Sequence, residues 1–186
     1  EEYKMNKIIK RLEISTITIT LILVSIFMLA CTGENKTTIS ESTDNNESKT
    51  PDEQVWDMAL EIYEGLKNKD KDRIKSVFSE NQLMNHSRKI DRKIDEVYEF
   101  IDGEIVEYKE ITGSCGSGER RYYEWIYRYF DGYIIGIKTD TGREYTIDYG
   151  GYLVDKNDSD NIGISYFVIW EEDSESDERI LVGTVD

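Results

Sequence analysis

IDEVYEFIDGEIVEYKE, residues 94–110, is where the chain changes character. Before Asp102-Gly103 the apolar residues recur at helical spacing; after it they alternate, as on a half-buried strand. Glycine stops a helix because it readily takes the left-handed conformation that closes the last turn. Working back from this point, Ser79-Glu80-Asn81-Gln82 is a capping box that opens a long helix with Leu83, Ile90, Ile94, Val97 and Ile101 on one face. A short helix from Asp70 precedes it, carrying Ile74, Val77 and Phe78. The first helix opens at Thr50-Pro51-Asp52-Glu53, with a cap threonine, proline at the first helical position and a glutamate to return the capping bond. Val55, Ala59, Ile62 and Leu66 form its stripe, widened by Trp56, Met58 and Tyr63, and it ends near Asn68.

Working forward, residues 104–112 read as a strand and 113–118 as a glycine and serine loop. Residues 119–130 are a strand with Tyr123, Trp125, Tyr127 and Tyr129 on one face. Asp131-Gly132 carries a hairpin-turn signal. Strands over 133–139 and 143–154 follow, joined at Thr141-Gly142, the second bent at Gly150-Gly151. After a polar loop, 155–161, residues 162–170 are apolar on both faces and read as a central or doubly covered strand. An acidic loop over 171–178 and a short strand over 180–185 end the chain as given. Helices first and antiparallel strands after is an α+β pattern. The expectation is about three helices packed against a curved, cone-like antiparallel sheet of about four to six strands, within a single domain over 51–186.

Four passages, ALEIYEGLKNKDKDRIKSVFSE (59–80), IDEVYEFIDGEIVEYKE (94–110), TDTGREYTIDY (139–149) and DKNDSDNIGISYFVI (155–169), resemble the bacterial lipoprotein family called domain of unknown function 5104. Their order and spacing carry the resemblance; no single motif does. It implies a nuclear-transport-factor-2-like, or cystatin-like, cone with helices in the concavity of a curved sheet. A proline common in that family's equivalent of residues 157–161 is absent here. The resemblance implies no activity.

The chain's beginning sets location. Lys7, Lys10 and Arg11 precede an uncharged run, Ile14 to Ala30, that ends at Cys31. Basic, apolar and small-residue regions in that order make a secretory signal, with Met5 as its natural start. Met28-Leu29-Ala30-Cys31 resembles the bacterial lipoprotein box, which implies a diacylglycerol on Cys31 and cleavage before it. The alternative is an uncleaved membrane helix, for which the run sits at the short end of the roughly 17–25 residues needed. Either way the basic end stays inside, which places the domain on the outer face of the bacterial membrane. Residues 32–50 are mostly Ser, Thr, Asn, Glu and Lys with one large apolar residue, Ile39, too polar to offset their ordering entropy. As a tether they reach roughly 25 Å.

The net charge is −16, and residues 1–30 carry four basic against three acidic side chains, so the remainder is more acidic than the whole by one charge. That balance excludes nucleic acid as an expected partner, since affinity there rests on Lys and Arg at phosphates. With Cys31 assigned to lipid, Cys115 has no disulfide partner and stability must come from a packed core.

No catalytic or cofactor-binding constellation stands out, and no cofactor or metal is implied. His86, the single histidine, lies near the edge of an apolar stripe and lacks an identified partner. Cys115 sits among glycines and serines, with Arg120 and Arg121 nearby. The 113–118 loop has neither the lysine nor the following helix of a phosphate loop. Asp155, Asn157, Asp158, Asp160 and Asn161 are oxygen-rich but lack the central glycine and terminal glutamate of a calcium loop. The chain's thirteen tyrosines and three tryptophans are the remaining signal. Trp56, Tyr63, Tyr98, Trp125, Tyr127, Tyr145, Tyr149 and Tyr166 are candidates to line a cavity for a sugar, peptide or aromatic ligand, because tyrosine's hydroxyl makes it a poor pure core filler. Three roles follow: non-catalytic binding of a small ligand or protein, a hydrolase or isomerase using the cavity with His86 or a carboxylate as base, or a structural or inhibitory envelope module. Cys31→Ser should abolish lipid attachment and the cut before residue 31, so that the precursor keeps its leader, read by lipid labelling and gel mobility. Unchanged processing would sink the lipid-anchor reading.

Overall fold

The computed structural model describes residues 49–174 and 177–185; the leader, Cys31 and nearly all of the tether lie outside them. Helix α1 (Pro51–Lys67) starts with the full capping box: Thr50 accepts from the Glu53 amide and Glu53 accepts from the Thr50 amide. Helix α2 (Lys71–Lys75) is capped by Asp70, and α3 (Glu80–Phe100) by Ser79. Arg73 forms a two-pronged ion pair with Glu61, and Lys75 pairs with Asp91, so α2 is tied to both neighbours. These pairs are part-exposed, and their worth is modest beside the apolar faces beneath them.

Seven antiparallel strands follow: β1 (Ile105–Glu107), β2 (Glu110–Ser114), β3 (Gly118–Arg121), β4 (Glu124–Thr139), β5 (Glu144–Asp155), β6 (Gly163–Glu171) and β7 (Arg179–Gly183). The order is β1-β4-β5-β6-β7, with β2 and β3 also pairing along β4. This is the expected α+β class, helices before sheet, with one strand more than the upper expectation. Three differences from the sequence reading account for the count, two splits and the merger of two expected strands into β4. The 104–112 stretch breaks into β1 and β2. Residues 118–121 form a strand of their own, turned back at Tyr122-Tyr123, where both residues take positive φ (49° and 71°). That is the backbone a tight two-residue hairpin requires. Tyr123 is thus a fully exposed turn residue and not part of an aromatic strand face.

The Asp131-Gly132 turn does not form. Strand β4 runs straight through it, paired with β2 on one edge and β5 on the other. Gly132 stands opposite Gly113, and the Tyr149 phenol occupies the space both leave empty. A Cβ at Gly132 would lie 2.5 Å from the Tyr149 hydroxyl, and one at Gly113 2.7 Å from it. The hydroxyl donates to the Thr112 carbonyl at 2.9 Å. The turn dipeptide's glycine serves a side chain here, not a bend.

One face of the sheet meets the helices. Phe130, Ile134, Ile137, Tyr145, Ile147, Tyr149, Phe167, Ile169, Ile180 and Val182 join Val55, Ile62, Ile74, Ile90, Ile94 and Val97 in a single core. The β4–β5 hairpin tip clasps the end of α3: Asp140 accepts from the Glu104 amide, Thr141 donates to the Asp102 carbonyl, and the Tyr145 hydroxyl accepts from the Asp102 amide. Among the described residues no helix is long and apolar enough to cross a membrane.

Buried Tyr149 and half-buried Tyr98 differ in their hydroxyls. That of Tyr149 is bonded, whereas that of Tyr98 finds no partner, and burial pushes the Tyr98 phenol up to about 12. Tyr149→Phe should cost about 1 kcal/mol, because the buried bond from its hydroxyl to the Thr112 carbonyl is lost. Tyr98→Phe should be neutral or stabilise by up to about 1 kcal/mol. Denaturant melts distinguish the two; equal losses would contradict this account.

Candidate functional site

Strand alternation decides which side chains are free to act. Phe130, Gly132 and Ile134 point to the helices, so Tyr129, Asp131 and Tyr133 point away. The register places Gly150 between Asp131 and Tyr166, and Asp148 between Tyr133 and Val168. The same unbroken β4–β5 register sets Tyr152 opposite Tyr129 on the open face, while the pairing of β5 with β6 shifts at Gly150/Gly151. Their ring centroids are 4.4 Å apart and their hydroxyls are bonded at 2.9 Å. Tyr127 continues the row, 5.4 Å from Tyr129. Gly150 is needed for close approach: a Cβ there would sit 3.0 Å from the Tyr166 ring and hydroxyl.

The result is a hollow of about 450 Å³ on the uncovered face. Its aromatic walls are Tyr129, Tyr152 and Tyr166, its floor is the Gly150-Gly151 backbone, and Asp131 is the one carboxylate among its described lining residues. Asp148 lies beside it, half-buried. Burial first, then the Asp131 charge, push its carboxyl above the ordinary range, against a smaller pull from Arg179. Burial raises the Tyr166 phenol in the same way, with Asp148, Asp131 and Tyr133 adding to it.

A second, polar hollow of about 200 Å³ opens at the start of α3. Asn81, Gln82, Asn85, His86 and Asn161 line it, and it shares Tyr152 and Ser165 with the first. The 155–161 loop is pinned to it. Asp155 accepts from the Asn161 side chain and from the amides of Asn157 and Asp158, and Asn81 donates to Asp158 and Asn161 at 2.8 Å each. The Asn161 bond leads the effects that hold the Asp155 carboxyl below its ordinary value. These oxygens are spent on internal bonds, and no group of three metal-ligating side chains occurs among the described residues. A wider cleft of about 660 Å³ between α3 and β7 is lined mainly by charges such as Lys93, Glu96, Arg143 and Glu171, which pair with one another or with Asp102.

The eight aromatic candidates do not share a cavity. Tyr63, Tyr145 and Tyr149 are core residues; Tyr63 packs edge-on to Tyr108 at 4.7 Å. Buried hydroxyls find backbone partners in Tyr145 and Tyr149, which is how tyrosine serves as core. Tyr98 lies at the end of α3 beside Leu66 and Ile101. Trp56 is 43% exposed on α1. The Arg120 and Arg128 guanidiniums lie over Trp125, at 4.0 and 5.0 Å from the ring. Tyr127 flanks the open-face row, and of the eight only Tyr166 lines the 450 Å³ hollow. Reading Asp131-Gly132 as a turn hid Asp131 and cut the alternation Tyr127, Tyr129, Asp131, Tyr133 in two, while nothing in the 143–154 strand marked Tyr152 out. His86 borders the polar hollow among amides and hydroxyls, without a carboxylate lining it. Burial raises the Cys115 thiol, outweighing Arg128, which is the reverse of what a nucleophile needs. Residues 113–118 are partly strand and lead into β3, not into a helix.

A carboxyl whose folded value is raised weakens the fold once ionised. The penalty is absent in acid and grows as pH climbs through the ordinary 3.8 and the raised value above it. Asp148→Asn should therefore raise Tm at pH 7, with the gain fading below about pH 4. Asp155→Asn should do the opposite, lowering Tm at pH 7 and converging with the parent in acid. Thermal melts across pH check both signs.

A family model described as Domain of unknown function (DUF5104) matches residues 61–172. That span holds the lining residues of both hollows except Val185. No curated protein matches the chain.

Proposed function

The chain belongs to the DUF5104 family, and from that footing we propose that it is a membrane-anchored, extracytoplasmic lipoprotein whose domain binds a small ligand on its open sheet face without chemistry. The location rests on the basic start, the apolar run and Cys31. The binding role rests on one observation: an aromatic hollow of about 450 Å³, built on the sheet face the helices leave bare. That volume falls in the range that houses whole small ligands. The tyrosine rings and hydroxyls there suit a ligand with both apolar and polar faces. The acidic surroundings disfavour an anionic ligand and nucleic acid. An enzyme would need a base beside a second reactive group. Asp131 faces tyrosines and serines in its hollow, and His86 faces amides in the other.

A thermal-shift screen of the full chain carrying Cys31→Ser, against sugars, peptides and amines, should yield a binder that raises Tm. Tyr166→Ala should abolish that shift while moving the unliganded Tm by little, since Tyr166 lies outside the helix-facing core. A shift that survives both Tyr166→Ala and Tyr129→Ala would put binding elsewhere. No shift with any class would favour the structural or inhibitory role.

A further inference from the structure

The two hollows meet at Tyr152 and Ser165, and their linings are chemically complementary. Resting on the binding role above, we propose that the ligand is a saccharide of at least two linked rings, one lying on the tyrosines and the next entering the amide-lined hollow at the start of α3. Three observations carry this.

The first is the chemistry of the walls. Neither hollow is lined by a lysine or arginine, and the two together hold one carboxylate, Asp131. The other lining side chains are tyrosine rings, four carboxamides, one imidazole and serine hydroxyls, with Phe130 and Val185 as the apolar ones. Carboxamides and hydroxyls both donate and accept, and so match a neutral molecule studded with hydroxyls. A flat tyrosine face takes the C–H side of a sugar ring, and Asp131 can accept from two of its hydroxyls.

The second is size. About 200 Å³ is below the roughly 300–1,000 Å³ that holds a whole drug-sized ligand, so the polar hollow suits one end of a molecule anchored next door.

The third is preorganisation with unmet demand. The Asp155–Asn161–Asn81–Asp158 chain of bonds holds two of the amides in place before any ligand arrives, which lowers the ordering cost of binding. Gln82, 5% exposed, donates to Thr184, yet its Oε1 has no partner among the described residues. Asn85 and His86 line the same hollow, and among the described residues their side chains make no hydrogen bond.

The test is calorimetric titration of the full chain in detergent with cellobiose, maltose and N,N′-diacetylchitobiose, each beside its monosaccharide. A glycan array of two- to four-ring saccharides precedes it and widens the panel. At least one disaccharide should bind tenfold or more tighter than its monosaccharide. Asn85→Ala, on an exposed helix position where alanine is favoured, should remove that advantage and leave the monosaccharide Kd within about twofold; Tyr166→Ala should weaken both. Equal affinity for one and two rings, or a disaccharide advantage untouched by Asn85→Ala, would overturn the two-ring assignment while leaving the tyrosine hollow as a site. If no saccharide in the panel binds, the saccharide class is wrong. The binding role then survives only if a peptide or amine gives a Tyr166-dependent thermal shift, and falls with it if none does.

Discussion

One phenol ring in a glycine slot sets the geometry of the sheet. Tyr149 of β5 reaches across Gly132 of β4 to Gly113 of β2 and donates to Thr112. Three strands are thereby pinned in one register by a side chain that is itself wholly buried. A Cβ at either glycine would collide with it. The interaction also keeps β4 straight through a dipeptide that elsewhere turns. With β4 unbroken over Glu124–Thr139, it can pair with β1, β2 and β3 along one edge and β5 along the other.

The open face follows from that same continuity. A strand shows alternate residues to opposite sides, and one slip would exchange core for surface. Because β4 does not turn, Tyr129, Asp131 and Tyr133 all stay on the side away from the helices. The regular β4–β5 pairing then sets Tyr152 opposite Tyr129 in the same row. So the residues that fill the core and those that line the hollow are set by one register. Asp148 and Asp131 leave charge on that face with limited compensation, while the 155–161 loop spends its carboxylates on holding the adjoining amides.

The helices were legible in detail, because their signals are local. Thr50, Asp70 and Ser79 are N-caps whose side chains accept from amides three residues on. The stop at Asp102-Gly103 and the turn at Thr141-Gly142 were legible for the same reason, and the structure adds that these two places hold each other. The aromatic residues were not. Tyr145 and Tyr166 carry the same side chain in neighbouring strands, yet one is core and the other lines the hollow. Composition cannot separate them when both faces of a sheet are rich in tyrosine.

The amino-acid sequence alone determined the class, helices before an antiparallel sheet, and the positions of caps, stops and most strands, since each depends on residues within a turn or two. It could not determine whether Asp131-Gly132 bends, nor which tyrosines are free. Those depend on Tyr149 meeting Gly113 and Gly132 across three strands, a contact between residues as far as 36 positions apart in the chain. Packing outweighed the local turn preference there because the buried ring and its bonded hydroxyl gain more than a tight turn's modest propensity.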